Sequence, residues 1–151
     1  YEDRGSRFLA WVFPVVDEED FQARLEELKV EYPKACHHCW AWCLSSAYRF
    51  SDDGEPGGTA GRPMLQVLEG SGLHGLGAIC VRFFGGVKLG TGGLARAYSG
   101  ATARALADAG RRTEVLQSEV ALRLSFANLG LRTEVEALFS GIVFTGEFGH
   151  T

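Results

Sequence analysis

Apolar and aromatic residues gather in three runs that predict β-strands, at residues 6–16, 36–46 and 76–84. Residues 49–63 are polar and rich in glycine and proline, show neither a helical nor a strand period, and predict a loop. Residues 64–72 form a short apolar segment that fits either a helix or an extended stretch. The first two thirds of the chain therefore predict a mixture of strands and helices.

Two segments carry the spacing of an amphipathic helix. Residues 17–32 open with an acidic turn, which suits the positive end of a helix, and Pro33 follows them. A second helix is predicted from Gly92 to about Ala109, where alanine, leucine and arginine dominate ahead of Gly110. The two apolar stripes are Phe21, Leu25 and Leu28, and then Leu94, Ala97, Ala101, Ala105 and Leu106. Each predicted helix thus has one face to bury.

The pattern restarts after a polar hinge at residues 110–117. Residues 118–126 alternate as a strand, residues 127–141 predict a helix, and residues 142–148 predict another strand. A strand, a helix and a strand of about 35 residues do not easily close a core. We therefore expect a domain at 1–110 and a partial second domain at 111–151, whose remaining C-terminal residues are absent from this sequence or disordered.

The composition predicts a soluble globular protein. The 151 residues, 46% of them hydrophobic, suffice for one ordinary domain or two small ones. No apolar run reaches the roughly 18 to 20 residues of a membrane span, and the first residues lack the features of a signal peptide. Cys36, Cys39 and Cys43 stand together in one predicted strand, which suits free thiols better than disulfides. We expect a cytoplasmic protein without membrane contact.

Charge is distributed unevenly along the chain. The net charge of −4 argues against wholesale adhesion to nucleic acid. Residues 1–60 nevertheless hold 12 acidic and 6 basic side chains, whereas residues 61–112 hold 2 acidic and 7 basic ones. Any surface that attracts anions is therefore expected in the second of these segments.

A glycine-rich stretch in this basic segment is the first candidate site. Five glycines surround one lysine: Gly85, Gly86, Gly90, Gly92 and Gly93 around Lys88. The start of a helix presents unpaired N–H groups and a partial positive charge, and glycine lets an anion touch the backbone. Thr91 and Arg96 would add a hydroxyl and a charge. The spacing fits neither a P-loop nor the dinucleotide pattern, so no cofactor follows from it. The alternative is a tight turn whose glycines only permit packing.

The acidic loop is the second candidate. Asp52, Asp53 and Glu55 do not have the spacing of a calcium loop, and three carboxylates beside glycine and proline are more often a solvated turn than a metal site. A third use is to hold Arg62, Arg82 or Arg96 by hydrogen bonds. We therefore predict no metal and regard support of a neighbouring site as the better hypothesis.

The third candidate is the run CHHC at residues 36–39. Alternation along a strand sends Cys36 and His38 to one face and His37 and Cys39 to the other, so one zinc ion could not easily collect all four. Core packing, a functional His37, and a nucleophilic Cys39 with His37 as its base remain open. Aromatic residues could also stack on bases if exposed, although most are expected in the core. They are Trp40, Trp42, Tyr48, Phe83, Phe84 and Tyr98.

Four motifs carry a resemblance to the YigZ/IMPACT family. They are SRFLA, HHCWAW, SDDGEPGGTAGRPML and VRFFGGVKLGTGGLARAYSGA, in the order and spacing of that family. The resemblance covers residues 6 to about 110, and residues 115–151 look like the start of the family's small C-terminal domain. The matching positions are His37, Cys39, Asp52, Asp53, Gly54, Glu55, Pro56, Gly58, Thr59, Gly61, Pro63, Arg82, Gly85, Gly86, Lys88, Leu89, Gly90, Gly92, Gly93 and Tyr98.

The resemblance implies an α+β protein. Its N-terminal domain would be of the two-layer α/β type found in a small-subunit ribosomal protein and in domain IV of elongation factor EF-G. An incomplete ferredoxin-like βαβ domain, resembling domain V of that factor, would follow. Eukaryotic IMPACT members restrain a kinase that reports amino-acid starvation, but they carry an extra N-terminal domain that we do not expect in this protein. For the short bacterial-type members, the folds suggest contact with RNA, ribosomes or nucleotides, and no catalytic residues are established.

The favoured hypothesis is a non-enzymatic protein, associated with translation or stress, that binds RNA, the ribosome or a protein of the translation machinery. The anion or nucleic-acid site would comprise Arg82, Gly85, Gly86, Lys88, Gly90, Thr91, Gly92, Gly93 and Arg96. A supporting polar cluster would comprise His37, Asp52, Asp53, Glu55, Thr59 and Arg62. The alternative is an enzyme or binding protein for a small phosphorylated or carboxylated ligand, with His37 or Asp53 as acid or base. A module that binds only protein is a third hypothesis.

Overall fold

The computed structural model describes residues 1–110, which form a five-stranded antiparallel sheet and three helices. The strands are β1 Glu2–Asp3, β2 Ser6–Pro14, β3 His37–Cys43, β4 Tyr48–Ser51 and β5 Leu76–Phe83. The helices are α1 Glu18–Glu31, α2 Gly61–Gly70 and α3 Gly90–Asp108. The strand order is β1-β2-β5-β3-β4, so β5 is the central strand.

The central strand has apolar residues on both of its faces. Residues Gly77 to Arg82 of β5 are all buried, and their side chains alternate between the two faces. Cys80 lies opposite Ala10 of β2 and Cys39 of β3, which fixes the register of the three longest strands. A strand buried on both faces needs helices on both sides of the sheet, since bare apolar surface in water is unfavourable.

One face is covered by α1. Asp17 caps this helix by accepting a hydrogen bond from the Asp20 amide at 2.8 Å, and three acidic residues follow in the first turn. Its buried stripe of Phe21, Leu25 and Leu28 packs in a cluster with Trp42 and Ile79. The helical face predicted from the sequence is therefore the one that packs on the sheet.

The other face is covered by α2 and α3. Met64, Leu65 and Leu68 of α2 meet Leu94, Ala97, Tyr98 and Ala101 of α3 over the sheet residues Phe8, Cys39, Ala41, Ala78 and Cys80. The Tyr98 ring contacts Phe8 edge to face, with ring centroids 5.1 Å apart. Small residues on β3 and β5 leave room for the two helices, and this face carries the candidate site.

The strands and long helices agree with the sequence predictions apart from their ends. The predicted loop at 49–63 differs, because it contains β4 and the start of α2. Helices on both faces also give one more layer than the two-layer type that the resemblance implied. The predicted domain at 111–151 lies outside the described residues.

Candidate functional site

The five glycines lie in the turn between β5 and α3 and in the first turn of α3, and Gly85 is required by its neighbours. A Cβ atom at Gly85 would lie 2.0 Å from the Gly5 carbonyl carbon. The Gly85 amide also donates to Ser6 Oγ at 3.2 Å. The turn between β1 and β2 thus packs directly on the backbone at Gly85, which leaves no space for a side chain.

The fold also accounts for three of the other four glycines. Gly86 and Gly90 have φ angles of +87° and +72°, in the region that favours glycine. A Cβ at Gly93 would lie 3.0 Å from the Leu89 Cβ, a tight contact. Gly92 is different, since its φ is not positive. A Cβ added at Gly92 would contact only the end of the flexible Arg96 side chain, with 3.3 Å between that Cβ and Arg96 Nη1. Among the five, Gly92 alone has no structural requirement for glycine within the described residues.

The start of α3 is open to an anion. Its N-cap residue is Leu89, no side chain caps the helix, and the first turn holds no acidic residue. Lys88, Thr91, Gly92 and Arg96 are exposed. Within residues 1–110, neither Lys88 nor Arg96 forms a salt bridge. Two free cations therefore lie at the positive end of a helix, an arrangement that a negative ligand would stabilise.

Arg82 points away from this open surface into a buried ion pair. Its Nη1 donates to both Glu55 oxygens, at 2.6 and 2.9 Å, and the two side chains are 7% and 3% exposed. Arg82 Nη2 also donates to Ser6 Oγ at 3.5 Å. Because its charge is compensated inside the protein, Arg82 belongs with the supporting polar cluster rather than with the anion site proposed from the sequence.

Glu55 is the centre of that cluster. The hydroxyl of Tyr98, on α3, donates to Glu55 Oε1 at 2.7 Å. His37 is half-buried, and its Nε2 lies 3.8 Å from Glu55 Oε2. His37 Nδ1 lies 2.7 Å from the Asp53 carbonyl oxygen, which can only accept, so Nδ1 carries the proton. Glu55 thereby links α3 to β5, and the loop that carries it is joined to β3 through His37 and Asp53.

The other acidic side chains hold the loop in shape. The Asp52 carboxylate accepts from the amides of Gly58, Ala60 and Gly61, at 2.7 to 3.0 Å, and so caps the start of α2. Asp53 Oδ2 accepts from the His38 amide at 2.6 Å. The buried Thr59 hydroxyl donates to the Pro56 carbonyl oxygen at 2.6 Å. These carboxylates therefore bind the protein's own backbone.

Arg62 lies outside the cluster in which the sequence analysis placed it. Its side chain is exposed on α2, with the guanidinium carbon 5.9 Å from the centre of the Phe50 ring. Since Asp52 is occupied by backbone amides and Glu55 by Arg82, the acidic loop has no carboxylate turned toward Arg62.

The thiols do not form a reactive centre. His37 and Cys39 share a face of β3, as the alternation predicts, and Cys39 Sγ donates to the Asp52 carbonyl oxygen at 3.0 Å. Burial raises the pKa of the Cys39 thiol, which disfavours the thiolate that nucleophilic attack needs. No group of three His, Cys, Asp or Glu side chains within residues 1–110 could hold a metal ion.

Sequence reasoning missed the roles of Ser6 and Tyr98 in this region. Ser6 reaches Gly85 and Arg82 across 79 and 76 positions of sequence, and no local pattern predicts such contacts. Tyr98 was named among the aromatic residues, most of which were expected in the core; it is buried, and its hydroxyl also donates to the ion pair. Phe84, which was named among the aromatic residues that could stack on bases if exposed, is 50% exposed at the turn. Arg4 stands beside Gly5 in the adjoining turn, but Glu2 and Asp3 precede it and offset its charge.

Comparison with known proteins places these residues in a family. Residues 4–106 match the Impact N-terminal domain. The chain belongs to the IMPACT family. The match spans β2 to β5, the acidic loop and the glycine turn, and so includes every residue proposed for the site from the sequence. Along residues 1–110, no helix is both long and apolar enough to cross a membrane.

Relatives of known sequence or structure extend beyond this chain. IMPACT family member YigZ of Escherichia coli (strain K12) is 40% identical over 142 residues, which are 91% of this chain and 68% of YigZ. A crystal structure of a hypothetical protein is 44% identical, with a TM-score of 0.68 over 71% of this chain and 54% of that one. The two-domain translational regulator Yih1 is 29% identical over 68% of this chain and 43% of its own. Its TM-score of 0.44 is too low to support an argument from likeness.

Proposed function

We propose that this protein is a non-enzymatic regulatory protein associated with translation, and that it binds phosphates of RNA or of the ribosome at the turn between β5 and α3. The binding groups are the backbone amides at the start of α3, together with the Lys88 and Arg96 side chains. The Glu55–Arg82 pair lies beneath the turn and supports it.

The observation that carries the proposal is Gly92. Glycine in a helix costs about 1 kcal/mol relative to alanine, so a glycine that neither φ nor packing requires needs another reason. Close approach of a ligand to the backbone is such a reason, and phosphate at a helix start is the ligand that this geometry suits. The Arg96 guanidinium, beside Gly92, is placed to bind the same anion.

The charge distribution supports a local rather than a general attraction for RNA. No acidic residue occurs between Glu69 and Asp108, and this segment includes Lys88, Arg96 and the whole glycine turn. The net charge of −4 is carried elsewhere. A small positive surface on an acidic protein favours selective contact with phosphates at the turn.

The buried cluster supports a binding role over a catalytic one. The Glu55 carboxylate is 3% exposed and engaged by Arg82 and Tyr98, and the Cys39 thiol is buried with a raised pKa. The Glu55 carboxylate is thus occupied inside the protein, and the raised pKa of Cys39 disfavours the thiolate that would attack a substrate. The translational context follows from family membership and from what the resemblance to IMPACT proteins implies.

A salt titration of RNA binding tests the proposal. Binding of a labelled single-stranded oligonucleotide would be measured by fluorescence anisotropy over a range of potassium chloride concentrations. Replacing Lys88 and Arg96 with alanine should weaken binding and make the slope of log K against log salt shallower by about 1.4, since each lost phosphate contact contributes about 0.7.

A matched control removes the same charge from the other face of the sheet. Arg24 lies on α1, and the exposed Lys34 follows that helix, so Arg24→Ala with Lys34→Ala changes net charge equally. The control should bind like wild type. Equal salt slopes for the wild type and the Lys88→Ala, Arg96→Ala variant would refute the proposal.

A second candidate is binding of a small phosphorylated or carboxylated molecule. It is favoured by the same helix start, because one uncapped turn with the Thr91 hydroxyl is enough for a single anion. A thermal-shift screen with nucleotides and phosphorylated metabolites separates the two. A concentration-dependent stabilisation by one compound, lost in Gly92→Ala, would favour the small ligand.

A further inference from the structure

Phe84 is an aromatic side chain exposed at the edge of the proposed phosphate site. It directly precedes Gly85 and Gly86, and half of its surface is open to solvent. A Cβ added at Gly86 would find no atom within 4 Å, so the space beside this part of the turn is empty. The ring is therefore accessible to a flat ligand.

The Phe84 ring is also held in place by the protein. The Arg82 guanidinium carbon lies 5.5 Å from the centre of the Phe84 ring and 5.6 Å from that of Phe8. The cation thus lies close to both a buried and an exposed ring, and two hydrogen bonds to Glu55 hold it there. A ring packed on a fixed cation is oriented before any ligand arrives, which lowers the entropic cost of stacking on its free side.

We propose that Phe84 stacks on a base, so that the ligand of this site is single-stranded rather than duplex RNA. This inference rests on the proposed function, because the neighbouring phosphates must be held at α3 for a base to reach Phe84. Exposed aromatics beside basic groups are the usual means of binding single strands, and every base offers a face for stacking. In a duplex the bases stack on one another and their faces are not available to Phe84.

The inference separates three ligands that carry similar phosphates. The first is a single-stranded RNA of about ten nucleotides, which is within the usual site size for single-strand binding. The second is the same sequence in a duplex, and the third is an abasic strand of equal length. Wild type should prefer the single strand over the abasic strand by about 5-fold to 140-fold, the range expected for one stacked base. It should likewise prefer the single strand over the duplex.

Variants of Phe84 assign that preference to the ring. Phe84→Leu should lose most of the preference for the strand with bases while its affinity for the abasic strand stays unchanged. Phe84→Tyr should retain the preference. Phe50→Leu is the matched control, because Phe50 is 37% exposed on β4 with a guanidinium near its ring and should not alter binding. Leucine at position 84 also keeps an apolar cover over Arg82, and a thermal melt of each variant reports whether the fold is retained.

Each remaining outcome has a definite meaning. Equal affinity of wild type for the three ligands, with a salt slope that still depends on Lys88 and Arg96, would overturn stacking but leave the proposed function standing. An equal loss by Phe84→Leu for the strand with bases and for the abasic strand would show that Phe84 acts only through the fold, and would also overturn stacking. No measurable binding of any ligand would overturn both proposals.

Discussion

Removing Glu55 is the sharpest test of the buried cluster. Glu55 and Arg82 are 3% and 7% exposed and are joined by hydrogen bonds of 2.6 and 2.9 Å. In Glu55→Ala the Arg82 guanidinium keeps its charge but loses its counterion, and the Tyr98 hydroxyl loses its acceptor. A buried charge without a partner is strongly unfavourable, because water cannot replace the missing carboxylate.

The expected loss is about 3 to 5 kcal/mol, the range measured when one partner of a buried ion pair is removed. With a slope of roughly 2 kcal/mol per molar urea, the midpoint of unfolding should fall by about 2 M. Glu55→Gln should cost less, about 2 kcal/mol, since its amide oxygen can still accept one of the hydrogen bonds. Glu27→Ala is the control, because it breaks the exposed pair with Arg24, and it should change stability little.

Urea unfolding followed by tryptophan fluorescence measures this loss in the full chain. The three tryptophans, Trp11, Trp40 and Trp42, all lie on β2 and β3, so the signal reports the sheet that carries the cluster. The m-value should be unchanged if only stability is altered. A loss below about 1 kcal/mol, or one equal to that of Glu27→Ala, would refute the description of a sealed ion pair.

Four further predictions concern the turn and the thiols. Gly85→Ala should destabilise the protein more than Gly86→Ala, because only Gly85 abuts the Gly5 backbone. Gly86→Ala should cost about 1 to 2 kcal/mol for its positive φ. Equal midpoints of urea unfolding for the two variants would contradict the close approach at Gly85. Gly92→Ala should leave stability unchanged or slightly higher while weakening RNA binding in the anisotropy assay, and unchanged affinity would remove the main support for the phosphate site. Of the four cysteines, Cys36 is exposed and the others are buried, so one thiol should react with Ellman's reagent in native protein at pH 8 and four in guanidinium chloride. Burial raises the pKa of the Cys39, Cys43 and Cys80 thiols, so just above the ordinary value of 9.0 these thiols ionise only in the unfolded state. The free energy of unfolding, measured with urea at a series of pH values, should therefore fall as the pH rises beyond 9.0. Two or more fast-reacting thiols, or stability that rises with pH, would show that these side chains are not enclosed.

Local patterns were sufficient to predict the elements with strong periodicity. Runs of apolar and aromatic residues located β2, β3 and β5. Alternation placed His37 and Cys39 on a common face, since successive side chains of a strand must point to opposite sides. The stripe of Phe21, Leu25 and Leu28 predicted the buried face of α1. These features depend on neighbours in sequence, and a sequence displays such neighbours directly.

The features that were missed depend on contacts between distant residues. The polar run at 49–63 predicts a loop, yet β4 pairs with β3, and Asp52 caps α2 at Gly61, nine residues later. A Cβ at Gly61 would lie 2.7 Å from the Ser51 carbonyl oxygen, so this glycine serves packing between β4 and α2 rather than a turn. Tertiary packing outweighed local propensity there.

In the candidate site, too, local patterns predicted some features, whereas others depend on contacts between distant residues. The glycine and basic pattern located the turn, but it did not distinguish the buried Arg82 from the exposed Lys88 and Arg96. That distinction comes from Glu55, 27 positions before Arg82. Glycine content alone also could not single out Gly92, because the reasons for the other four glycines are backbone angles and contacts that exist only in the folded chain.

The most direct test of phosphate binding at the start of α3 is the response of its backbone amides. In nitrogen-15 NMR spectra of the full chain, titration with a short single-stranded RNA should shift the amide signals of Thr91, Gly92 and Gly93 most strongly, together with the side-chain signal of Arg96. The amides of α1 on the opposite face should not move. Shifts confined to other surfaces, with the signals of residues 91–93 unchanged at saturating RNA, would contradict the account.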